Sequence, residues 1–204
     1  MFVTIAIMFG LLLLVPIFVD FASLHFSHRV SQTGADTAAH AAAVEYALSD
    51  NRMYTRSFRG ECGKSPHQVA EDYLWGVVKP LGNPDSIAGY MAYSQAARYA
   101  RLHQSELVGY DQRYESHTYP ETCQLVAGTQ ICALEIYAKT RRPVPLIYES
   151  AYGESREAPA EATAEVYLDP AYPFEVSDPI PCGKDETRYI IDFYWVVRLI
   201  DTRR

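Results

Sequence analysis

Hydrophobic and polar positions divide this chain into two unlike parts. From Met1 to Val19 only Thr4, Gly10 and Pro16 interrupt an apolar run, and no polar stripe recurs at helical spacing. Nineteen helical residues rise about 28 Å, close to the roughly 30 Å hydrocarbon thickness of a bilayer. The core helix of a small domain would keep a polar face, so a membrane-compatible helix is the expectation. Pro16 removes a backbone donor and crowds the carbonyl of Leu12, which predicts a kink or local melting. Beyond Asp20 the helical signal continues. Residues 20–48 hold no Pro and one Gly, and Ala35, Ala38, Ala39, Ala41, Ala42, Ala43 and Ala47 form a strong helix-forming run. Arg29, Gln32, Asp36 and His40 recur every three or four residues as a polar stripe. Val30, Gly34, Thr37, Ala41, Val44 and Leu48 form an apolar-to-small one. A continuous helix over residues 1–48 is a rod about 70 Å long. It is either a membrane anchor continuing into a stalk or a polymerisation helix packing against copies of itself through small residues.

The rest of the chain has the periodicities of a folded domain. Arg52–Gly60 is basic and polar and predicts a linker, assigned to 51–64. Ser65-Pro66-His67-Gln68 then opens a helix, with Ser65 as N-cap, Pro66 at the first turn and Gln68 closing a capping box. Val69, Ala70, Tyr73, Leu74, Val77 and Val78 supply its apolar face and Pro80 ends it. Asn83-Pro84 opens a second helix through Ile87, Tyr90, Met91, Ala97 and Ala100 to about His103. After that the period falls to two. Leu134, Ile136 and Ala138 alternate with Glu135, Tyr137 and Lys139, and Ala162, Ala164, Val166 and Leu168 with Glu161, Thr163, Glu165 and Tyr167. Tyr189, Ile191, Phe193, Trp195, Val197 and Leu199 predict the inner face of one long C-terminal strand. The expected fold is α+β: a long N-terminal hydrophobic helix over 1–50, then a domain over 65–204 of two short helices and an antiparallel β-sheet.

Charge and composition sharpen the division. Of 204 residues, 18 are Lys or Arg and 25 Asp or Glu, for a net charge of −7. The first 28 residues carry only Asp20. A sequence pI near 5.3 argues against a nucleic-acid partner, which would require a basic face. No basic residue precedes Arg29, whereas a cleavable secretory signal begins with a basic region. An upstream basic leader, already removed to leave Met1 as a processed terminus, would reconcile the missing flank with membrane insertion. All sixteen Tyr lie at Tyr46 or beyond. They fit either exposed contact surfaces or a solvated sheet face.

Evidence for chemistry is negative. Gly60-Glu61-Cys62-Gly63-Lys64-Ser65 has two residues between its glycines where a phosphate-binding loop has four. The six His form no H-E-x-x-H pattern, Glu71 and Asp72 point apart on a helix, and no nucleophile motif occurs. No enzymatic activity, metal or cofactor is expected.

The segment PIFVDFASLHFSHRVSQTGADTAAHAAAVEYA, Pro16–Ala47, resembles the N-terminal region of TadE/TadG-like proteins of the tight-adherence pilus system. The shared pattern is an apolar helix, an acidic–aromatic pair (Asp20–Phe21), a basic residue (Arg29), a Gln (Gln32), an Ala–Asp pair (Ala35–Asp36) and an alanine-rich run (Ala38–Ala43). The resemblance covers about a quarter of the chain. It implies a type IV pilin-like subunit, processed by a prepilin peptidase and held in the inner membrane until the pilus assembly machinery adds it to a filament of its own copies. Ile5 stands where many members carry a Glu that neutralises a neighbouring N-terminal amine. The residues expected to pack between subunits are Phe2, Ile5, Phe9, Leu12, Pro16, Asp20, Phe21, Gly34, Ala38, Ala41 and Ala42. On that reading, a bulky residue at Ala38 or Ala42 blocks assembly and leaves the outer domain folded.

The four Cys suit an exported domain. With Ala127-Gly128 as central turn residues, Val126/Thr129, Leu125/Gln130 and Gln124/Ile131 pair across a hairpin. Cys123 and Cys132 then become a close, non-hydrogen-bonded pair able to form a disulfide. Cys62 and Cys182 are left to join each other. Four buried reduced thiols are the alternative, less suited to an oxidising compartment.

Overall fold

A computed structural model describes residues 2–54, 57–73, 87–113, 124–126, 129–131, 133–147, 156–169, 174–176, 179–183 and 186–200. One helix, α1 (Phe2–Tyr54), dominates the molecule, and its assignment runs unbroken through Pro16. The expected α+β fold follows it. The short helices α2 (Pro66–Tyr73) and α3 (Ile87–Leu102) precede antiparallel strands. The capping box forms as the sequence predicts: Ser65 N donates to Gln68 Oε1 at 2.9 Å, and Gln68 N donates to Ser65 Oγ at 3.4 Å.

The main sheet contains β2 (Glu106–Arg113), β5 (Leu134–Pro143), β6 (Glu157–Leu168) and β11 (Trp195–Ile200), ordered β11-β6-β5-β2. Its inner face packs on residues of α1 beyond Asp20, and α3 packs on the same stretch of helix. This three-part contact is lined by alanine. Ala35, Ala38, Ala39, Ala42 and Ala43 of α1 meet Ala92, Ala96 and Ala100 of α3, and Ala138, Ala160, Ala162 and Ala164 of the sheet. Small side chains let a helix backbone approach both neighbours closely. Tyr46, Leu134, Ile136 and Val166 supply the larger volumes. Ser31 completes the seam: Thr140 Oγ1 donates to the Ser31 carbonyl at 2.9 Å and lies 3.2 Å from Ser31 Oγ, so both buried hydroxyls are satisfied.

Three expectations are corrected by this arrangement. Ala38 and Ala42 do not face a neighbouring subunit, because both are completely buried in the chain's own core. The stalk reading also fails, since the second half of α1 is the spine of the domain. The packed stripe is Ser27, Ser31, Ala35, Ala38, Ala42 and Tyr46, one residue out of phase with part of the predicted Val30–Leu48 stripe, whose Val30, Thr37, Ala41 and Val44 are only half-buried. Thirdly, the predicted linker contains structure: α1 extends to Tyr54 and Ser57–Arg59 forms β1.

A second sheet, ordered β1-β10-β7, joins β1 to β10 (Ile190–Phe193) and β7 (Phe174–Val176). The long C-terminal strand is therefore two. Ile191 and Phe193 are buried in the second sheet, while Trp195 and Val197 pack on the main core. The switch falls at Tyr194, whose carbonyl accepts from Asp169 N at 2.9 Å. Gly60 leaves the edge of this sheet against α2, where a Cβ would overlap Val69.

Two hairpins complete the described residues. In β3 (Gln124–Val126) and β4 (Thr129–Ile131) the pairs are Gln124/Ile131, Leu125/Gln130 and Val126/Thr129, the register expected from the sequence. Cys123 and Cys132 themselves lie outside the described residues. In the other hairpin, β8 (Ile180–Pro181) pairs with β9 (Thr187–Arg188). Cys62 and Cys182 form the expected disulfide, with Cα atoms 6.2 Å apart and a sequence separation of 120.

Inserting a large side chain into a close-packed alanine seam forces backbones apart, at about 1–3 kcal/mol or more. Ala38→Leu and Ala42→Leu will lower the urea midpoint of the domain, whereas Ser94→Leu, on the exposed face of α3, will leave it nearly unchanged. Replacing both Cys62 and Cys182 by Ser will cost about 2–5 kcal/mol in the same unfolding measurement, because a long loop is released in the unfolded chain.

Candidate functional site

The surface that the fold leaves unexplained is the first half of α1. Leu11, Leu12, Leu14, Val15, Ile17, Phe18, Val19, Phe21 and Phe26 are all exposed, Leu12 by 64% and Phe18 by 69%. Within the helix, an 18-residue window of mean hydropathy 1.8 is only 12% buried. A soluble protein's core helix of that hydropathy would be covered by its own domain. This one is long and apolar enough to cross a membrane, and it is uncovered. A disulfide alongside points to an extracytoplasmic domain.

The expected site residues fall into three groups. Leu12 and Phe21 are exposed and Pro16 is half-buried on the free half of α1, while the side chains of Phe2, Ile5 and Phe9 lie outside the described residues. Asp20 is different: it is only 6% exposed, and its Oδ1 accepts from the backbone N–H of Ile147 at 2.7 Å. Gly34 allows close approach, since a Cβ there would come within 3.0 Å of Ser105 Oγ just past the end of α3. Ala38 and Ala42 belong to the core, and Ala41 lies half-buried at its edge.

The polar stripe is used within the chain as well as facing solvent. Gln32 Nε2 donates to Asp36 Oδ1 at 2.8 Å and to the carbonyl of Glu161 at 3.0 Å, tying α1 to β6. Arg29 and His40 are exposed. Asp36, His40, Ala41 and Val44 line one wall of a shallow groove, with Gln95, Arg98 and Tyr99 of α3 opposite. Nothing in this open groove converges on a reacting atom.

Sequence reasoning missed Ser27 and Ser31, which share the buried stripe, and Ile147, the partner of Asp20. Spacing offered a signal for the serines, because they continue the Ala35–Ala38–Ala42 stripe by four-residue steps. Ile147 carried none. The sheet's outer face holds a row in which Arg113, Glu135, Glu165 and Arg198 are successive cross-strand partners. Fully buried Glu165 accepts from Arg198 Nε at 2.8 Å, and Arg198 also covers the Tyr167 ring. Arg198 thus offsets the charge of Glu165 in the central like-charged pair, whereas Arg113 Nε donates to Asp111 of its own strand at 2.9 Å.

Among the described residues one cluster has metal-ligand types in proximity, Cys62, Cys182 and Glu186. Its two sulfurs are bonded to each other, so no thiolate is available for a metal.

Tyrosines occupy both kinds of position that composition left open. Tyr90, Tyr93 and Tyr99 are exposed on α3, and Tyr93 meets Tyr110 edge-to-face at 5.3 Å. Tyr137 stands on the outer sheet face beside the Lys139–Glu161 ion pair of 2.7 Å. Burial pushes the Tyr110 phenol up to about 12, against a lowering by its hydrogen bond with Gln112. Desolvation, followed by the hydrogen bond and charge of Glu161, also raises Tyr137 to about 12.

No family model, curated protein or solved structure matches the chain.

Unfolded tyrosine ionises near pH 10, so between pH 10 and 12 the unfolded chain loses these two protons before the folded one. Stability will therefore fall as pH rises through that window. In an absorbance titration of phenolate, Tyr110→Phe and Tyr137→Phe will each remove amplitude from its most alkaline part.

Proposed function

We propose that this chain is a pilin-like structural subunit, anchored in the inner membrane by α1 before assembly into a tight-adherence-type filament of its own copies. The observation that carries this reading is the uncovered apolar half of a helix whose other half is the spine of a folded domain. Such a helix is stable in lipid, and outside lipid it stays dry only against other apolar surfaces. Burying one Leu or Phe side chain is worth about 1.5–3 kcal/mol, so the surface spanning Leu11–Phe26 offers a large driving force for association. The order Asp20–Phe21, Arg29, Gln32, Ala35–Asp36 and the alanine run supports the same reading through its resemblance to TadE/TadG-like proteins. Processing by a prepilin peptidase, delivery by the assembly machinery and a role in surface attachment belong to this proposal.

The location of the alanines favours one alternative, a membrane-anchored minor pilin, assembly accessory or tip adhesin. Ala38 and Ala42 are consumed by the chain's own core. Among the described residues, the free half of α1 and the outer faces of the domain remain for packing between copies.

Electron microscopy of sheared surface material separates the two readings. Filaments built from this chain support the first, and its retention in membranes without filaments supports the second. Phe18→Ala and Phe21→Ala remove exposed rings that contribute nothing to the domain core. Each will reduce filament yield while leaving membrane retention and the domain's unfolding midpoint unchanged. Undiminished filament yield in the double variant would overturn the packing model.

A further inference from the structure

The connection between Asp20 and Ile147 assigns a depth to the domain. Strand β5 and the segment after it descend alongside α1. Thr140 is bonded to Ser31, the Arg142 guanidinium lies 5.9 Å from the Phe26 ring centre, and Ile147 N is bonded to Asp20. From Ser31 back to Asp20 the helix falls about 16 Å. Over that distance the domain accompanies the helix instead of releasing it.

The end of this descent coincides with the end of the apolar span. Phe2–Val19 rises about 27 Å, nearly the hydrocarbon thickness, so Asp20 stands where hydrocarbon gives way to headgroups. A carboxylate at that depth is costly unless a donor reaches it. Here the donor is a backbone amide of the chain's own domain. The segment supplying it carries Ile147, 59% exposed despite being fully apolar, and Phe21, next to Asp20 along the helix, is 72% exposed. Above them His25, His28 and Arg29 are exposed and Arg142 is half-buried; the Arg29 backbone stands about 14 Å beyond Asp20, and its long side chain, leaning back toward the helix N-terminus, reaches down toward the headgroups.

We propose that the domain sits directly on the bilayer, with Ile147 inserted into the outer interface beside Phe21 and with Arg29 and Arg142 facing lipid headgroups. The occupant of this apolar patch is lipid because the patch is continuous with the membrane-spanning surface of α1. The inference rests on the reading of α1 as a membrane anchor, which the filament subunit and the anchored accessory share.

The chain of residues 1–204 reconstituted in phosphatidylcholine nanodiscs provides the test. Ile147→Trp places a fluorophore on the patch without disturbing a buried side chain. Tyr90→Trp is the reference. Gly34 lies against residues 103–105 whereas His40 and Val44 face Gln95 and Tyr99, so α3 runs antiparallel to α1 and Tyr90 projects from the end remote from Asp20. Emission is read as the difference from the parent chain, with lipids brominated near the top of the acyl chain as quenchers. The Ile147→Trp signal is expected to be blue-shifted and quenched several-fold more strongly than that of Tyr90→Trp. Equal quenching in a chain that remains embedded would overturn the seating of the domain and leave the anchor intact. Failure of the parent chain to incorporate into nanodiscs would overturn the anchor and the seating together.

Discussion

The fold depends on a close three-way contact around the second half of α1, where a single helix touches both another helix and a sheet through alanine. Alanine is both the strongest helix former and the side chain that brings two backbones nearest. Here both properties are needed by the same residues: the helix must persist over Phe2–Tyr54 and must also accept α3 and β5–β6 on adjoining faces. The seam has little volume of its own. Tyr46 at one end and the Ser31–Thr140 hydroxyl pair nearer the other therefore fix where the elements sit along it. The second sheet adds little to this core. It is joined instead through the strand switch at Tyr194, while the Cys62–Cys182 bond ties the segment after β1 to the β8–β9 hairpin.

Much of this was legible in the chain, and the exceptions have physical causes. The apolar run, the capping box at Ser65–Gln68, the inner faces of β5 and β6, and the β3–β4 register all arise from local chemistry, where one period or one turn decides the outcome. The packed face of α1 is harder to read. Alanines occupy the packed stripe as well as the predicted small-residue stripe beside it, so Ala38 and Ala41 look alike although one is core and the other borders a groove. Composition did not separate contacts within the chain from contacts between chains, because small residues serve both. Strand β2 escaped notice because Glu106–Arg113 has no clean alternation, and its register shifts between Leu107 and Gly109. The long C-terminal strand was divided for a different reason. Alternation from Tyr189 to Leu199 specifies a face but is silent about which sheet that face belongs to, and Tyr194 changes it.

The free half of α1 and the Asp20 contact constrain how such a chain could leave a membrane. Asp20 is buried, and its carboxylate already accepts the amide of Ile147 in the same chain. This has an energetic advantage. A buried carboxylate that keeps its own donor moves from lipid to filament without ever being stripped of partners, whereas one that relied on a neighbour would be bare in transit. Assembly of this chain would then rest on apolar contact along Leu11–Phe26 and on shape at the domain surface. Apolar contact is strong but non-directional. Directional information would have to come from elsewhere, such as the outer faces of the domain, where Tyr90, Tyr93 and Tyr99 are exposed on α3 and Arg113 and Arg198 are exposed at the two ends of the main sheet's charged row.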